Sequence, residues 1–198
     1  KNFASHVLFV GNNMLTGQNA FAFAQKDLAS AKQFQSELNQ SYADSLKSPL
    51  MKEDLKAFKG LDFFPLNEKY IVEAKFIRTK KEKAFGMKTT TSRTPLYVKY
   101  GELHFTIDNK DLKLNVYKNI DLSKKPGYED YLFLPFSDLT CGKQSYIGGR
   151  YIDLEIPKGN TIAIDFNQAY NPYCAYNYKY SCPLVPLEND LKIEIKAG

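Results

Sequence analysis

Beyond Gly60 the apolar residues recur at every second position, and this spacing constrains the fold more than any other feature of the chain. Val72, Ala74 and Phe76 alternate with Glu73 and Lys75; Leu103, Phe105 and Ile107 with His104 and Thr106; Leu112, Leu114 and Val116 with Lys113 and Asn115. Successive side chains of a strand point to opposite faces, so each run predicts a strand with one buried face. Asp108-Asn109-Lys110-Asp111 separates two of these runs and predicts the turn of a hairpin. Further strands are expected at Leu96–Tyr100, Tyr131–Phe136, Tyr151–Ile156, Thr161–Phe166 and Leu191–Ile195, with Pro157-Lys158-Gly159-Asn160 turning a second hairpin. No helix-length segment separates them, and parallel pairing requires crossovers of that kind, so the sheet is expected to be antiparallel. About eight half-apolar strands must close or stack, which predicts a mainly β (α+β) fold with a barrel-like or sandwich sheet.

The segment before Gly60 obeys a different period. From Lys26 to Leu46 there is neither Pro nor Gly, and Leu28, Ala31, Phe34, Leu38 and Tyr42 fall at three- and four-residue steps, the stripe of an amphipathic helix. Ser48-Pro49 is the start signal of a second, shorter helix, with Ser48 capping and Pro49 in the first turn, and Gly60 is its stop. Both helices are expected to pack outside the sheet. The organisation this predicts is one domain over residues 25–198, with helices in 26–59 and the β portion in 61–198. Residues 1–24 read as a degenerate signal segment or an N-terminal arm: an apolar run at His6–Val10, then Ala22-Phe23-Ala24 as a cleavage-like pattern. On that reading the protein is periplasmic or secreted; the alternative is cytoplasmic.

Composition excludes several classes. At 43% apolar and 25% charged residues the chain is ordinary for a globular protein and unlike a disordered one. No apolar run approaches the ~20 residues of a transmembrane helix. The net charge of +5 comes from lysine; Arg78, Arg93 and Arg150 are the only arginines. Arginine is the usual instrument of bidentate phosphate and base recognition, so nucleic acid is not an expected partner. The basic cluster Arg78, Lys80, Lys81, Lys83 and Lys88 is read as a solvated hairpin tip. Three cysteines and two histidines do not suffice for a zinc ribbon, no nucleotide or metalloprotease motif is present, and neither a metal nor a cofactor is expected.

Alternation also places charges. Continuing the face of Leu132, Leu134 and Phe136 leads to Asp138 and Thr140; extending the face of Ile152, Leu154 and Ile156 backwards leads to Arg150. A hairpin through Cys141–Gly149 would bring Asp138 and Arg150 together facing the core, where opposite charges have to pair. The pair is expected at the mouth of the barrel, either holding an anionic ligand with Gly148-Gly149 allowing close approach, or fixing strand register. The stretch Asn167–Asn189, with Asn171-Pro172, Cys182-Pro183 and five tyrosines, is a long ordered loop: a stacking surface for a ligand, or a lid over the open end. The expected ligand-binding residues are Asp138, Arg150, Tyr151, Asn167, Tyr170, Asn171, Tyr176, Glu188 and Asn189. Cys174 and Cys182 are spaced either to close a disulfide or to be buried as two small apolar side chains.

The C-terminal third carries a resemblance. Leu132-Phe133-Leu134-Pro135-Phe136-Ser137-Asp138-Leu139-Thr140, Gly148-Gly149-Arg150-Tyr151, Asp165-Phe166-Asn167, Ala169-Tyr170-Asn171-Pro172, Cys174-Ala175-Tyr176, Cys182-Pro183 and Glu188-Asn189 resemble the short form of the bacterial domain-of-unknown-function family 1684. The likeness reaches back through Ser48-Pro49-Leu50 and Phe58–Pro65 and spans about residues 30–198. Cys141 and Val185 depart from the pattern, so Cys141 is not expected to share any common chemistry. The resemblance implies no particular activity. The function expected from the residues is non-catalytic binding of a small polar or anionic ligand by an envelope-associated domain. The alternatives are a hydrolase using Asp138, Glu188 or Cys174, and a structural or protein-interaction module.

Overall fold

The computed structural model describes residues 28–198. The signal or arm expected at residues 1–24, and His6, lie outside the described residues. Helix α1 (Leu28–Ala43) buries Ala31, Leu38 and Tyr42, the stripe set by its spacing. Helix α2 (Lys52–Ala57) is shorter than its start signal suggests. The Ser48 hydroxyl accepts from the N–H of Leu50 at 3.2 Å and so closes the bend before the helix; Met51 stands at the cap without a side-chain bond.

Seven strands follow: β1 (Ile71–Arg78), β2 (Phe85–Gly86), β3 (Leu96–Ile107), β4 (Lys110–Asn119), β5 (Tyr131–Phe136), β6 (Arg150–Glu155) and β7 (Thr161–Asp165). They form one antiparallel sheet in the order β6-β5-β4-β3-β1-β7, with β2 paired to β3, curled into a half-barrel. The β3–β4 hairpin turns on Asp108 and Asn109, both at positive φ (51° and 58°), as a two-residue turn matched to strand twist requires. The hairpin expected between Tyr151–Ile156 and Thr161–Phe166 does not form: β6 pairs with β5 and β7 with β1, at opposite ends of the strand order. Pro157–Asn160 therefore links the two edge strands without pairing them, and the segment after β7 returns to β6 at a single bridge, Tyr151 to Tyr170.

Two apolar layers lie on the two faces of the sheet. One comprises Val72, Leu103, Phe105, Leu114, Leu132, Phe136 and Ile152, and is covered by Leu191, Ile193, Ile195 and Ala197. The other comprises Tyr97, Tyr117, Tyr131, Phe133 and Tyr151, covered by Leu38 and Tyr42 of α1 and by the tyrosine-rich loop. Strand β5 is accordingly buried at all six positions, not at alternate ones. In β3 a register shift between Lys99 and Gly101 sends Tyr97 to the second layer and Leu103 to the first. A side chain at Gly101 would put a Cβ 2.5 Å from the Phe76 ring and 2.9 Å from the Ile77 carbonyl oxygen, so β1 and β3 approach this closely only with glycine there.

The C-terminal stretch alternates in burial as expected, yet Leu191–Ile195 is not a ladder strand. Its backbone bonds are few: the Ser137 N–H to the Asn189 carbonyl, the Leu191 N–H to the Ser137 carbonyl, the Leu139 N–H to the Ile193 carbonyl, and the Phe64 N–H to the Gly198 carbonyl. Beyond them, side chains of Asp138 and Arg150 take the place of a partner strand.

Candidate functional site

The Asp138–Arg150 pair closes at 3.1 Å, with both side chains almost completely buried. Asp138 Oδ2 accepts from the Ile195 N–H at 2.6 Å, and Oδ1 from the Thr140 hydroxyl at 2.8 Å. Arg150 donates through Nη2 to the Ile195 carbonyl at 2.9 Å and through Nη1 to the Ala197 carbonyl. Its guanidinium also lies over the Phe136 ring, 5.1 Å from the centroid. The charges thus clasp the C-terminal stretch onto the first apolar layer. Gly149, at φ 84°, faces the chain itself: a Cβ there would lie 2.6 Å from the Phe136 carbonyl oxygen and 2.6 Å from Val185. At Gly148 the Tyr146 ring occupies the space a Cβ would need.

Two of the expected asparagines do similar internal work. Asn189 is fully buried; its Oδ1 accepts from the Asn115 N–H at 2.9 Å, and its Nδ2 donates to the carbonyls of Asn115 and Pro135 at 2.8 and 2.6 Å. Strands β4 and β5 share a single registered pair, Tyr117 with Phe133, so this amide stands in for ladder bonds where they diverge. Asn167, also fully buried, binds the N–H and carbonyl of Asn67 at 2.9 and 3.0 Å. Glu188 accepts from the Tyr117 hydroxyl at 3.1 Å, and Asn171 donates to the Tyr176 hydroxyl at 3.0 Å.

The second layer holds a different kind of group. Asp153 sits on β6 between Tyr151 and Glu155, on the face opposite Ile152. Its Oδ1 accepts from the hydroxyls of Tyr131 and Tyr170, at 2.7 and 2.9 Å. Its Oδ2 is shielded from solvent and, among the described residues, has no hydrogen-bond partner. Burial pushes the carboxyl up to about 6, against the two phenols, which pull it down. Burial likewise pushes the Tyr131 and Tyr170 phenols well above their ordinary range. Aromatic rings surround the group: Tyr151 is edge-on to Phe133 at 4.7 Å and to Tyr170 at 5.9 Å, and Phe34 of α1 lies 6.3 Å from Tyr170.

The structure therefore brings Tyr151 and Tyr170 to one site, with Tyr176 on the Tyr42 side of the same layer, 5.2 Å edge-on to that ring. Asp138, Arg150, Asn167 and Asn189 belong to separate internal networks. Alternation assigns Asp153 to a solvent face, so reasoning from period alone misses it. The available signal is the tyrosines at the other supposedly exposed positions, Tyr117, Tyr131 and Tyr151, which mark a covered face. An open groove lined by Lys69, Glu73, Lys75, His104 and Asp108 lies elsewhere and contains none of the expected residues.

The carboxylates considered for hydrolysis do not converge: Asp138 is held by Arg150 and Glu188 by Tyr117; Asp165 is taken up by Asn167 and Gln168. His104 bonds Glu102 at 3.1 Å on the polar face of β3. Among the described residues no group of three His, Cys, Asp or Glu is placed to hold a metal ion. Cys174 and Cys182 are free thiols here and not joined.

Residues 56–198 match the model of a family described as "Protein of unknown function (DUF1684)". The chain belongs to the DUF1684 family. The region of this DUF1684 chain that matches takes in the whole sheet, the clasp, the tyrosine-rich loop and Asp153. The solution NMR structure of the protein from gene locus rrnAC0354 of Haloarcula marismortui is similar, with a TM-score of 0.67 and 33% identity, covering 85% of this chain and 91% of that one. No curated protein matches the chain. Among the described residues no helix is long and apolar enough to cross a membrane.

Proposed function

We propose that this DUF1684 domain is a non-catalytic binding module, and that its site is the tyrosine-lined layer around Asp153. The observation that carries the reading is the shielded, partnerless Oδ2 of Asp153. Buried polar atoms in native proteins are nearly always hydrogen-bonded, and one left open beside aromatic rings suits a ligand that brings the missing donor. The ligand is a small polar molecule with an amine or hydroxyl donor for Oδ2 and a body that packs on Tyr151 and Tyr170. An anion is disfavoured at this site, since the Asp153 carboxylate would repel it. A covered site with one anchoring carboxylate and no second titratable group on its free oxygen supports binding over acid–base catalysis. The accompanying compartment in this proposal is the periplasm or the extracellular space, supported by the Ala22-Phe23-Ala24 pattern.

The test is a thermal-shift comparison of the parent and Asp153→Asn with a panel of small amines and polyols: putrescine, ethanolamine, glycerol and glucose. Asparagine still accepts both phenols but presents an NH₂ where Oδ2 stood. At least one panel member should raise the melting temperature of the parent and leave that of the variant unmoved. If the variant responds like the parent, or if nothing in the panel moves the parent, Asp153 is not a ligand anchor.

A further inference from the structure

Cys174 lies in a single 3-10 turn, Tyr173–Ala175, that follows Pro172. Cys182 lies on a strap tied to the segment after β2: the Thr90 N–H donates to the Cys182 carbonyl at 2.9 Å and the Cys182 N–H to the Thr90 hydroxyl at 3.1 Å. The two cysteines meet directly, the Cys174 N–H donating to Cys182 Sγ at 3.2 Å. Tyr146, whose ring rests on Gly148, brings its hydroxyl to 3.8 Å from Cys174 Sγ. Cys174 is half-buried and reachable, whereas Cys182 is 7% exposed.

We propose that Cys174 and Cys182 form a thiol–disulfide exchange centre in which Cys174 attacks a small-molecule disulfide and Cys182 resolves the product. The sulfurs are unequal in the way the reaction needs. A hydrogen bond from the Cys182 thiol holds Cys174 below the ordinary thiol range against the burial that raises it, aided by the Tyr146 and Thr90 hydroxyls, while that same contact together with burial pushes Cys182 up. The exposed member is thus the thiolate and the shielded member keeps the proton, the division seen where one cysteine is nucleophilic and its neighbour resolving. In the first step the Cys174 thiolate attacks one sulfur of RS–SR, forming Cys174–S–SR and releasing RS⁻. In the second step Cys182 gives up its proton to solvent or to RS⁻ and attacks Cys174 Sγ, forming the Cys174–Cys182 disulfide and releasing the second RS⁻. Two electrons pass from the protein dithiol to the disulfide, which leaves as two thiols. Asp153 takes no part, so the centre stands or falls independently of the binding site.

The probe is glutathione disulfide at neutral pH, applied to reduced protein carrying Cys141→Ser, with intact mass as the readout. The protein should lose two hydrogens without retaining glutathione; adding Cys182→Ser should leave one glutathione on Cys174; adding Cys174→Ser should give neither product in the same time. As a readout on native protein with all three cysteines, Cys174 should be alkylated by iodoacetamide at least about tenfold faster than Cys182, with a rate midpoint below that of an ordinary thiol. Glutathione retained without internal closure, no reaction, or equal alkylation of the two thiols would overturn the assignment. So would an internal disulfide that dithiothreitol does not reopen, since that bond would be structural only.

Discussion

Asp153 makes the stability of the molecule depend on pH in an unusual direction. A carboxyl raised from 3.8 to about 6 binds its proton more tightly folded than unfolded. Below pH 3.8 both states are protonated and the group costs nothing; between there and about pH 6 only the unfolded chain ionises, so stability falls as pH rises. Glu102, lowered to about 2 by its hydrogen bond with Lys99, acts oppositely and at lower pH, where stability rises as it ionises. The parent should therefore lose stability on the order of 2 kcal/mol between about pH 4 and pH 6, and Asp153→Asn should be flat over that interval. Urea midpoints measured across the window decide it; a parent curve that rises there would mean the carboxyl is well solvated.

Among the elements, β4 and β5 show how a side chain can replace a stretch of ladder. Their one registered pair would leave the N–H and carbonyl of Asn115 and the carbonyl of Pro135 buried without partners, were it not for the Asn189 amide. Asn189→Ala removes three hydrogen bonds at once and should destabilise the protein by about 2–4 kcal/mol, read from chemical denaturation. A loss below about 1 kcal/mol would show that the strands re-pair or that water fills the gap. Reading Asn167–Asn189 as a ligand-facing loop leads to Asn189 as a ligand residue, because an asparagine in a proline-rich loop carries no mark of the distant strands it bridges.

Over the whole molecule, the sheet is open and its first layer is finished by the last residues of the chain. Leu191, Ile193, Ile195 and Ala197 cover that layer, and the N–H and carbonyl groups between them engage Asp138 and Arg150. Burying two charges is tolerable only while they stay paired; Arg150 Nε has no hydrogen-bond partner among the described residues, so the pair depends on the bonds made by the other guanidinium nitrogens and by Asp138. A chain ending at Asp190 uncovers Leu103, Leu132 and Phe136 and strips the pair of its backbone partners. It should lose its cooperative thermal transition and its near-ultraviolet dichroism. Retention of a sharp transition within a few degrees of the parent would show that the clasp contributes little.

Local chemistry determined a good deal on its own: the helical stripe of α1, six of the strand positions, the Asp108-Asn109 turn and the facing of Asp138 toward Arg150 all follow from spacing and from backbone preferences that act within a few residues. Tertiary structure alone decided that β6 and β7 lie at opposite edges, that a second aromatic layer covers the supposed outer face, and that the C-terminal stretch is held by side chains instead of a ladder. Those outcomes depend on what lies across the sheet from each residue. Period-two alternation says that a side chain turns away from its neighbour, but not whether water or α1 and a tyrosine loop await it there. Asp153, turned to the side that alternation assigns to solvent, became a shielded carboxyl for that reason.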